Sequence, residues 1–189
     1  MNNIIYINER SILTKVKEIC EEYIKDTDYV IDMTIGNGFD TLTLCNITSK
    51  GMVFGFDIQK DAINNTNNLL KSNNLDNYKL FLESHENINI KLKDYQNKIK
   101  LILFNLGYLP KGDKTIMTNH QSTLKALINS FNMLKDDGLI LIVFYPHEEG
   151  KMEAKTVKNY LQKENINYTE YHNTNNINAP YLLVINSNN

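Results

Sequence analysis

The residues best suited to chemistry sit at the ends of short apolar runs. Asn105-Leu106-Gly107-Tyr108 follows the run Ile99 to Phe104. An amide oxygen and the next backbone carbonyl can accept the N–H bonds of an amine and aim its lone pair. An aromatic ring can stack on a planar base that carries the amine. Transfer of a methyl group to nitrogen is catalysed mainly by such positioning, with desolvation of a cation that loses charge as the methyl moves. Asn105 can also simply cap the strand end, and both roles can hold together. Upstream, Val30-Ile31-Asp32-Met33-Thr34-Ile35-Gly36-Asn37-Gly38-Phe39-Asp40-Thr41 reads as a strand, a glycine turn and the start of a helix. Gly36 and Gly38 allow positive φ and close approach of a ligand, and the helix start offers free N–H groups. A tight turn alone would need the same glycines. Asp32 and Asp40 repel a pyrophosphate but suit a cation, so the loop reads as a site for S-adenosylmethionine, which carries a sulfonium and an ammonium and no phosphate.

Asp57 closes the next apolar run, Met52 to Phe56. It lies about 20 residues on, the spacing at which a carboxylate meets the ribose hydroxyls of an adenosine ligand. Ile58 and Gln59 would flank the adenine. Asp57 as a helix cap is the alternative. Ser84-His85 follows a third run and could line the adenine end, or His85 could be an ordinary loop histidine. Lys111, Lys114 and Thr115 form a small basic, hydroxyl-bearing edge that suits phosphate contact or plain solvation. Tyr145-Pro146-His147 ends a fifth run. A histidine side chain can take or orient a proton, so His147 could do either, or serve only as a local hydrogen bonder. His120 and His172 suggest nothing beyond helix-start and strand-surface positions. No His/Cys/Asp cluster has metal-ligand spacing, so no metal is expected.

The elements that must position these residues follow from hydrophobic period. Strands are expected at Tyr29–Asp32, Gly51–Asp57, Tyr78–Leu82, Ile99–Phe104, Leu139–Tyr145, Ile166–Tyr171 and Tyr181–Ile185. Helices are expected over Glu9–Lys25, Phe39–Asn46, Gln59–Ser72, Glu86–Lys93, His120–Lys135 and Glu149–Lys163. Leu124, Leu127, Ile128, Phe131 and Leu134 mark the inner face of the fifth helix, and Met152, Thr156, Tyr160 and Leu161 that of the sixth. Asp136-Asp137-Gly138 reads as a turn. Ile4-Ile5-Tyr6-Ile7 has no assigned role. Five strand–helix repeats followed by two strands predict an α/β, Rossmann-like, seven-stranded, mostly parallel sheet with the last strand antiparallel and helices on both faces. Ligands of such sheets lie beyond the carboxyl ends of the strands, which lines Asp32, Asp57, Glu83, Asn105 and Tyr145 along one crevice.

Bulk composition agrees with a single domain spanning residues 1–189. The chain has 189 residues, 42% of them hydrophobic, a net charge of −2 and a pI of about 6.1. That balance excludes a global field for nucleic acid, so RNA contact would need a local patch. Cys20 and Cys45 fall in expected helices and read as small buried residues of a reducing compartment. No apolar run reaches membrane-spanning length and no leader pattern is present, so a cytoplasmic protein with no membrane association is expected.

Taken together, these stretches resemble the MnmM (YtqB-like) methyltransferases, long labelled rRNA methylases. The resemblance is carried by Asp32 to Thr41, Gly55-Phe56-Asp57-Ile58-Gln59, Ser84-His85-Glu86-Asn87 and Phe104 to Pro110, with Gly112-Asp113-Lys114, Thr118 and Thr123 to Ala126 in the same pattern. It runs from about Glu9 to Ile185. It implies a class I fold dependent on S-adenosylmethionine and an activity at the tRNA wobble position, methylation of 5-aminomethyl-(2-thio)uridine to the 5-methylaminomethyl form. It implies a cofactor site of Asp32, Gly36, Asn37, Gly38, Asp40, Thr41, Asp57, Ile58, Gln59, Ser84, His85, Asn105 and Gly107. Asn105, Tyr108 and His147 are the implied catalytic residues, and Leu106, Tyr108, Lys114, Tyr145 and His147 meet the base. The implied partner is a tRNA anticodon stem-loop, and a homodimer is among the assemblies left open. Tyr145-Pro146-His147 lacks a glycine expected before the histidine, and Asn178-Ala179-Pro180-Tyr181 stands where a double proline is expected. Methylation of another RNA or a small amine, and a binding module without turnover, are the alternatives.

Overall fold

The computed structural model describes residues 2–8, 11–107, 118–174, 176 and 178–187. Its elements run β1 (Asn3–Ile7), α1 (Ile12–Tyr23), β2 (Tyr29–Asp32), α2 (Phe39–Ile47), β3 (Met52–Asp57), α3 (Lys60–Ser72), β4 (Tyr78–Leu82), α4 (Ile88–Lys91), β5 (Ile99–Asn105), α5 (His120–Phe131), β6 (Leu134–Phe144), α6 (Glu148–Lys163), β7 (Thr169–Asn173) and β8 (Tyr181–Asn186). They form one sheet in the order β1-β7-β8-β6-β5-β2-β3-β4. Every pairing is parallel except those of β8, which runs antiparallel to both β6 and β7. The alternating pattern and the reversed last strand are as the sequence predicts.

The sheet has eight strands, not seven. The additional one is Ile4-Ile5-Tyr6-Ile7, which pairs in parallel with β7 from Asn3↔Thr169 to Ile7↔Asn173. Its β-branched residues favour extended backbone. It lies at the margin of the sheet, where Ile4 and Tyr6 stay exposed. A short run with no polar alternation carries no sign of which strand it joins.

The central strands read as continuous apolar runs because both faces are covered. On β5, Ile102 and Phe104 join the core beneath α4, α5 and α6, while Leu101 and Leu103 join the core beneath α1, α2 and α3. Ile140 and Ile142 of β6 follow the first side, Leu139, Leu141 and Val143 the second. Cys20 and Cys45 are buried free thiols in the second core, and burial pushes the pKa of both up to about 12. The expected turn at Asp136-Gly138 is an excursion inside β6. Ile99 pairs with Leu134 but Leu101 with Leu139, so the intervening residues loop out. Asp137 in that excursion takes the buried Lys100 ammonium at 2.7 Å.

Two helix faces differ from the hydrophobic pattern. α5 buries Thr123, Ala126, Leu127 and Ser130, with Ile128 40% exposed. α6 buries Gly150, Glu153, Ala154, Val157 and Leu161, with Met152 exposed. Small and hydrogen-bonded polar side chains occupy those faces: the Ser130 hydroxyl donates to Ala126 O at 2.7 Å and the Thr123 hydroxyl to Glu153 Oε1 at 2.7 Å. Satisfied in this way, a polar group can be buried.

Candidate active site

The strand order reverses direction of growth at β2, which lies between β5 and β3. Beyond the carboxyl ends of these strands opens a cleft of about 1070 Å³. Topology demands a crevice at such a switch point. Its walls come from five strand ends: Thr34 to Asn37 after β2, Asp57 to Gln59 after β3, Glu83 to Glu86 after β4, Asn105 to Gly107 after β5 and Tyr145 to His147 after β6. Phe39, Asp40 and Leu13 close one side, and Thr118, Asn119, Gln121 and Ser122 another. No lysine or arginine lines the cleft among the described residues.

Asp57 ties the first two loops together. Its Oδ2 accepts from Gly36 N–H at 3.0 Å and its Oδ1 from Gln59 N–H at 2.9 Å. Each oxygen keeps lone-pair capacity for a further donor, such as a diol hydroxyl. Burial holds the Asp57 pKa above the ordinary carboxylate value, opposed by these N–H bonds. Ile58 beside it is exposed and gives an apolar surface. The N-cap of α3 is Gln59, so Asp57 is not the helix cap; its carboxylate ties the two loops together and lines the cleft.

Asn105 is held on every side. Its N–H donates to Thr34 Oγ1 at 2.9 Å, and the Thr34 hydroxyl donates to Asn105 O at 3.0 Å. Its side-chain Nδ2 donates to Asp40 Oδ2 at 2.8 Å, and the Tyr145 hydroxyl donates to its Oδ1 at 2.9 Å. A carboxylate can only accept, so Asp40 fixes which end of the amide is which. The amide oxygen then faces Tyr145 with one lone pair left. Tyr145 remains a donor, because burial and the nearby Asp40 raise its pKa. The Asp40 pKa is itself raised by burial, with the Asn105 bond pulling the other way.

Three residues expected at the ligand lie beneath the cleft wall. Asp32 is fully buried, its Oδ1 accepting from Thr34 N–H at 3.1 Å and its Oδ2 from the Thr41 hydroxyl at 2.6 Å. Thr41 is buried with it. Gly38 caps α2 at φ +83°, and a Cβ there would meet Thr66 Oγ1 at 2.6 Å. They brace the loop and do not line the cleft. A strand-end acid looks the same in sequence whether it points inward or outward.

Asp32 also predicts a pH dependence. Burial, and secondarily Asp40, pushes its pKa from 3.8 up to about 7. Between those values the folded chain holds a proton that the unfolded chain has released. Stability from this group is complete below about 4 and is lost as pH rises through about 7. Asp32→Asn carries no charge; its amide can accept from Thr34 N–H and donate to the Thr41 hydroxyl oxygen. Its stability advantage over the wild type is expected to grow between pH 4.5 and pH 8 by about 3 kcal/mol. Urea unfolding at the two pH values checks this, and a constant difference would refute it.

Both cleft histidines have defined tautomers. His85 Nδ1 meets Met33 O at 3.2 Å, so Nδ1 carries the proton, and burial lowers its pKa and keeps the ring neutral. His147 caps α6, its Nδ1 accepting from Gly150 N–H at 3.0 Å. That bond occupies the lone pair a proton acceptor would use, so in this arrangement His147 presents Nε2–H and acts as a donor. Its expected role in taking a proton does not fit this geometry. Leu106 and Gly107 line the cleft. Tyr108 and Lys114, with Lys111 and Thr115, lie outside the described residues. The sequence pattern overlooked Thr34, which clasps Asn105, and Phe39, 68% exposed on the rim beside Asp40. A threonine two residues after a strand-end acid was the available signal for the first.

Among the described residues no group of three or more His, Cys, Asp or Glu could hold a metal ion, and no helix is long and apolar enough to cross a membrane. Residues 53–187 match the family model described as "Putative rRNA methylase". A "putative rRNA-methylase" structure from Clostridium thermocellum is 33% identical, covering 95% of this chain and 99% of that one, with a TM-score of 0.86. A "putative methyltransferase" from Streptococcus mutans, solved in complex with SAH, is 28% identical over 94% of this chain and 98% of that one, with a TM-score of 0.81. An Arabidopsis thaliana protein named "tRNA (mnm(5)s(2)U34)-methyltransferase, chloroplastic" is 36% identical over 165 residues, which is 81% of this chain and 60% of the relative. The chain therefore spans less than two thirds of that relative's length. A family match over most of the sheet, and a shared fold along nearly all of a solved relative, establish that this chain belongs to the rRNA-methylase-type family of methyltransferases.

Proposed function

We propose that the protein methylates the exocyclic amine of 5-aminomethyl-(2-thio)uridine at the wobble position of tRNA, using S-adenosylmethionine. The observation that carries this reading is the Asn105 amide, held at the cleft between Asp40 and Tyr145. The name of the Arabidopsis relative supplies the substrate class.

The lining fits the donor. Asp57 has lone pairs for a ribose diol, Ile58 an apolar face for adenine, and Asp40 negative charge for an ammonium or sulfonium. Gly36, Asn37, Gln59, Ser84 and His85 complete the holding surface. When bound, S-adenosylmethionine supplies an electrophilic methyl group. The chain's own part is to bring the amine there neutral and in line. Asn105 Oδ1 and the Leu106 carbonyl accept its N–H bonds, leaving the nitrogen lone pair aimed along the transfer axis. As positive charge builds on nitrogen, the same acceptors strengthen their bonds, which favours the transition state. Tyr145 keeps Asn105 in register. Phe39 offers an aromatic face for a neighbouring base, and Tyr108 and Lys114 take the target base and a phosphate. The partner is the anticodon stem-loop, bound locally in the cytoplasm.

Mass spectrometry of tRNA nucleosides from cells with and without the protein tests the reading. The expected result is loss of the 5-methylaminomethyl form and build-up of the 5-aminomethyl form. An unchanged nucleoside profile rejects it, and loss of a methyl from rRNA alone transfers the activity to that substrate.

A further inference from the structure

Helix α6 turns two carboxylates, Glu149 and Glu153, toward the start of α5. They stand one helical turn apart and so share a face. Glu149 Oε1 accepts from the His120 backbone N–H at 2.7 Å and faces the His120 ring Nδ1 at 2.8 Å. Glu153 is fully buried; its Oε1 accepts from the Thr123 hydroxyl at 2.7 Å, and its Oε2 has no partner among the described residues. A buried carboxyl with one oxygen unsatisfied costs stability that an apolar side chain would not. Packing alone therefore does not account for it.

What stands beside it does. Gly107 and Thr118 exchange two hydrogen bonds: Gly107 N–H donates to Thr118 Oγ1 at 3.2 Å, and Thr118 N–H donates to Gly107 O at 3.1 Å. The Thr123 backbone N–H in turn donates to Asn119 O at 2.9 Å, and Asn119 follows Thr118 directly in the chain. A path thus runs from α6 through Glu153 and Thr123 to Asn119, along the chain to Thr118, and across to Gly107, two residues from Asn105.

We propose that Glu153 is a positioning residue for methyl transfer: acting through Thr123 and the chain that leads from it back to Thr118, it holds Asn105-Leu106-Gly107 in the register the amine meets. The catalytic meaning rests on the function proposed above. The structural part does not, and the two are tested separately.

Amide hydrogen exchange needs no substrate. In Glu153→Ala, exchange at the Gly107 and Thr118 amides is expected to rise about tenfold or more, while the β5 amides Leu101 to Phe104 stay as in the wild type. Glu153→Gln keeps an acceptor for Thr123 and is expected to stay within about threefold of the wild type. With modified tRNA, Glu153→Ala is expected to lose about tenfold in kcat with the affinity for S-adenosylmethionine unchanged, and Glu153→Gln to restore the rate. Unchanged exchange at Gly107 and Thr118, or a rise spread evenly over β5, overturns the proposal. Loss of cofactor affinity in step with kcat also overturns it. If Glu153→Ala does not fold, Thr123→Val decides: it removes the hydroxyl that Glu153 accepts from and leaves the Gly107–Thr118 pair intact, so faster exchange at Gly107 supports the path and unchanged exchange refutes it. A wild type inactive on tRNA sinks the proposed function and leaves the exchange result to judge Glu153.

Discussion

Asn105→Ala is expected to lower the rate of methyl transfer by roughly a thousandfold, about 4 kcal/mol of lost transition-state stabilisation, and to leave S-adenosylmethionine affinity within about threefold. The size follows from what the amide does. It is the acceptor whose direction is set from both ends, by Asp40 on Nδ2 and Tyr145 on Oδ1. Alanine removes the oxygen that steers the amine and frees Tyr145 and Asp40 to rearrange. The proposed cofactor surface at Gly36, Asp57 and Gln59 is untouched, because its hydrogen bonds run through Asp57. Single-turnover transfer on modified tRNA, with calorimetry for the cofactor, separates the two effects. Normal turnover would remove Asn105 from the chemistry, and a parallel loss of cofactor binding would make it a cofactor ligand instead.

The second large effect is at Asp57. Asp57→Ala is expected to weaken S-adenosylmethionine binding by a hundredfold or more, about 3 kcal/mol, in isothermal calorimetry. Two contributions combine. The carboxylate would lose its charge-assisted bonds to a ribose diol, each worth about 1.5–3 kcal/mol. Gly36 and Gln59 would also lose the acceptor that draws their backbone N–H groups to one point, so the glycine loop is no longer held for the ligand. Asp57→Asn keeps one acceptor oxygen and is expected to fall between. Unchanged affinity in Asp57→Ala would refute the pocket assignment.

Much of this site is written in strand ends. Asp57 and Asn105 each follow an apolar run, and a parallel sheet leaves such residues only one crevice to face. The reversed β8 follows from two strands with no helix between them. What the sequence conceals are matters of side and partner. Asp32 occupies the same kind of position as Asp57, yet it bonds inward to Thr34 and Thr41. Glu153 sits among residues that pattern as solvated, and only the position of Thr123 reveals its burial. β1 is an asparagine and four apolar residues whose meaning depends on β7, more than 150 positions away. His147 is a histidine near the reacting end, but the first turn of α6 claims its free lone pair.

The described cleft wall carries Asp40 and Asp57 and no lysine or arginine. A lining of one sign distinguishes the two ends of a catalytic cycle. On the proposed function, the fresh donor enters as a sulfonium and is drawn in by the acids, whereas the spent thioether is neutral at sulfur and feels less of that pull. The same carboxylates that recruit the donor thus loosen their hold on its by-product, so discharge is favoured only after the group has gone.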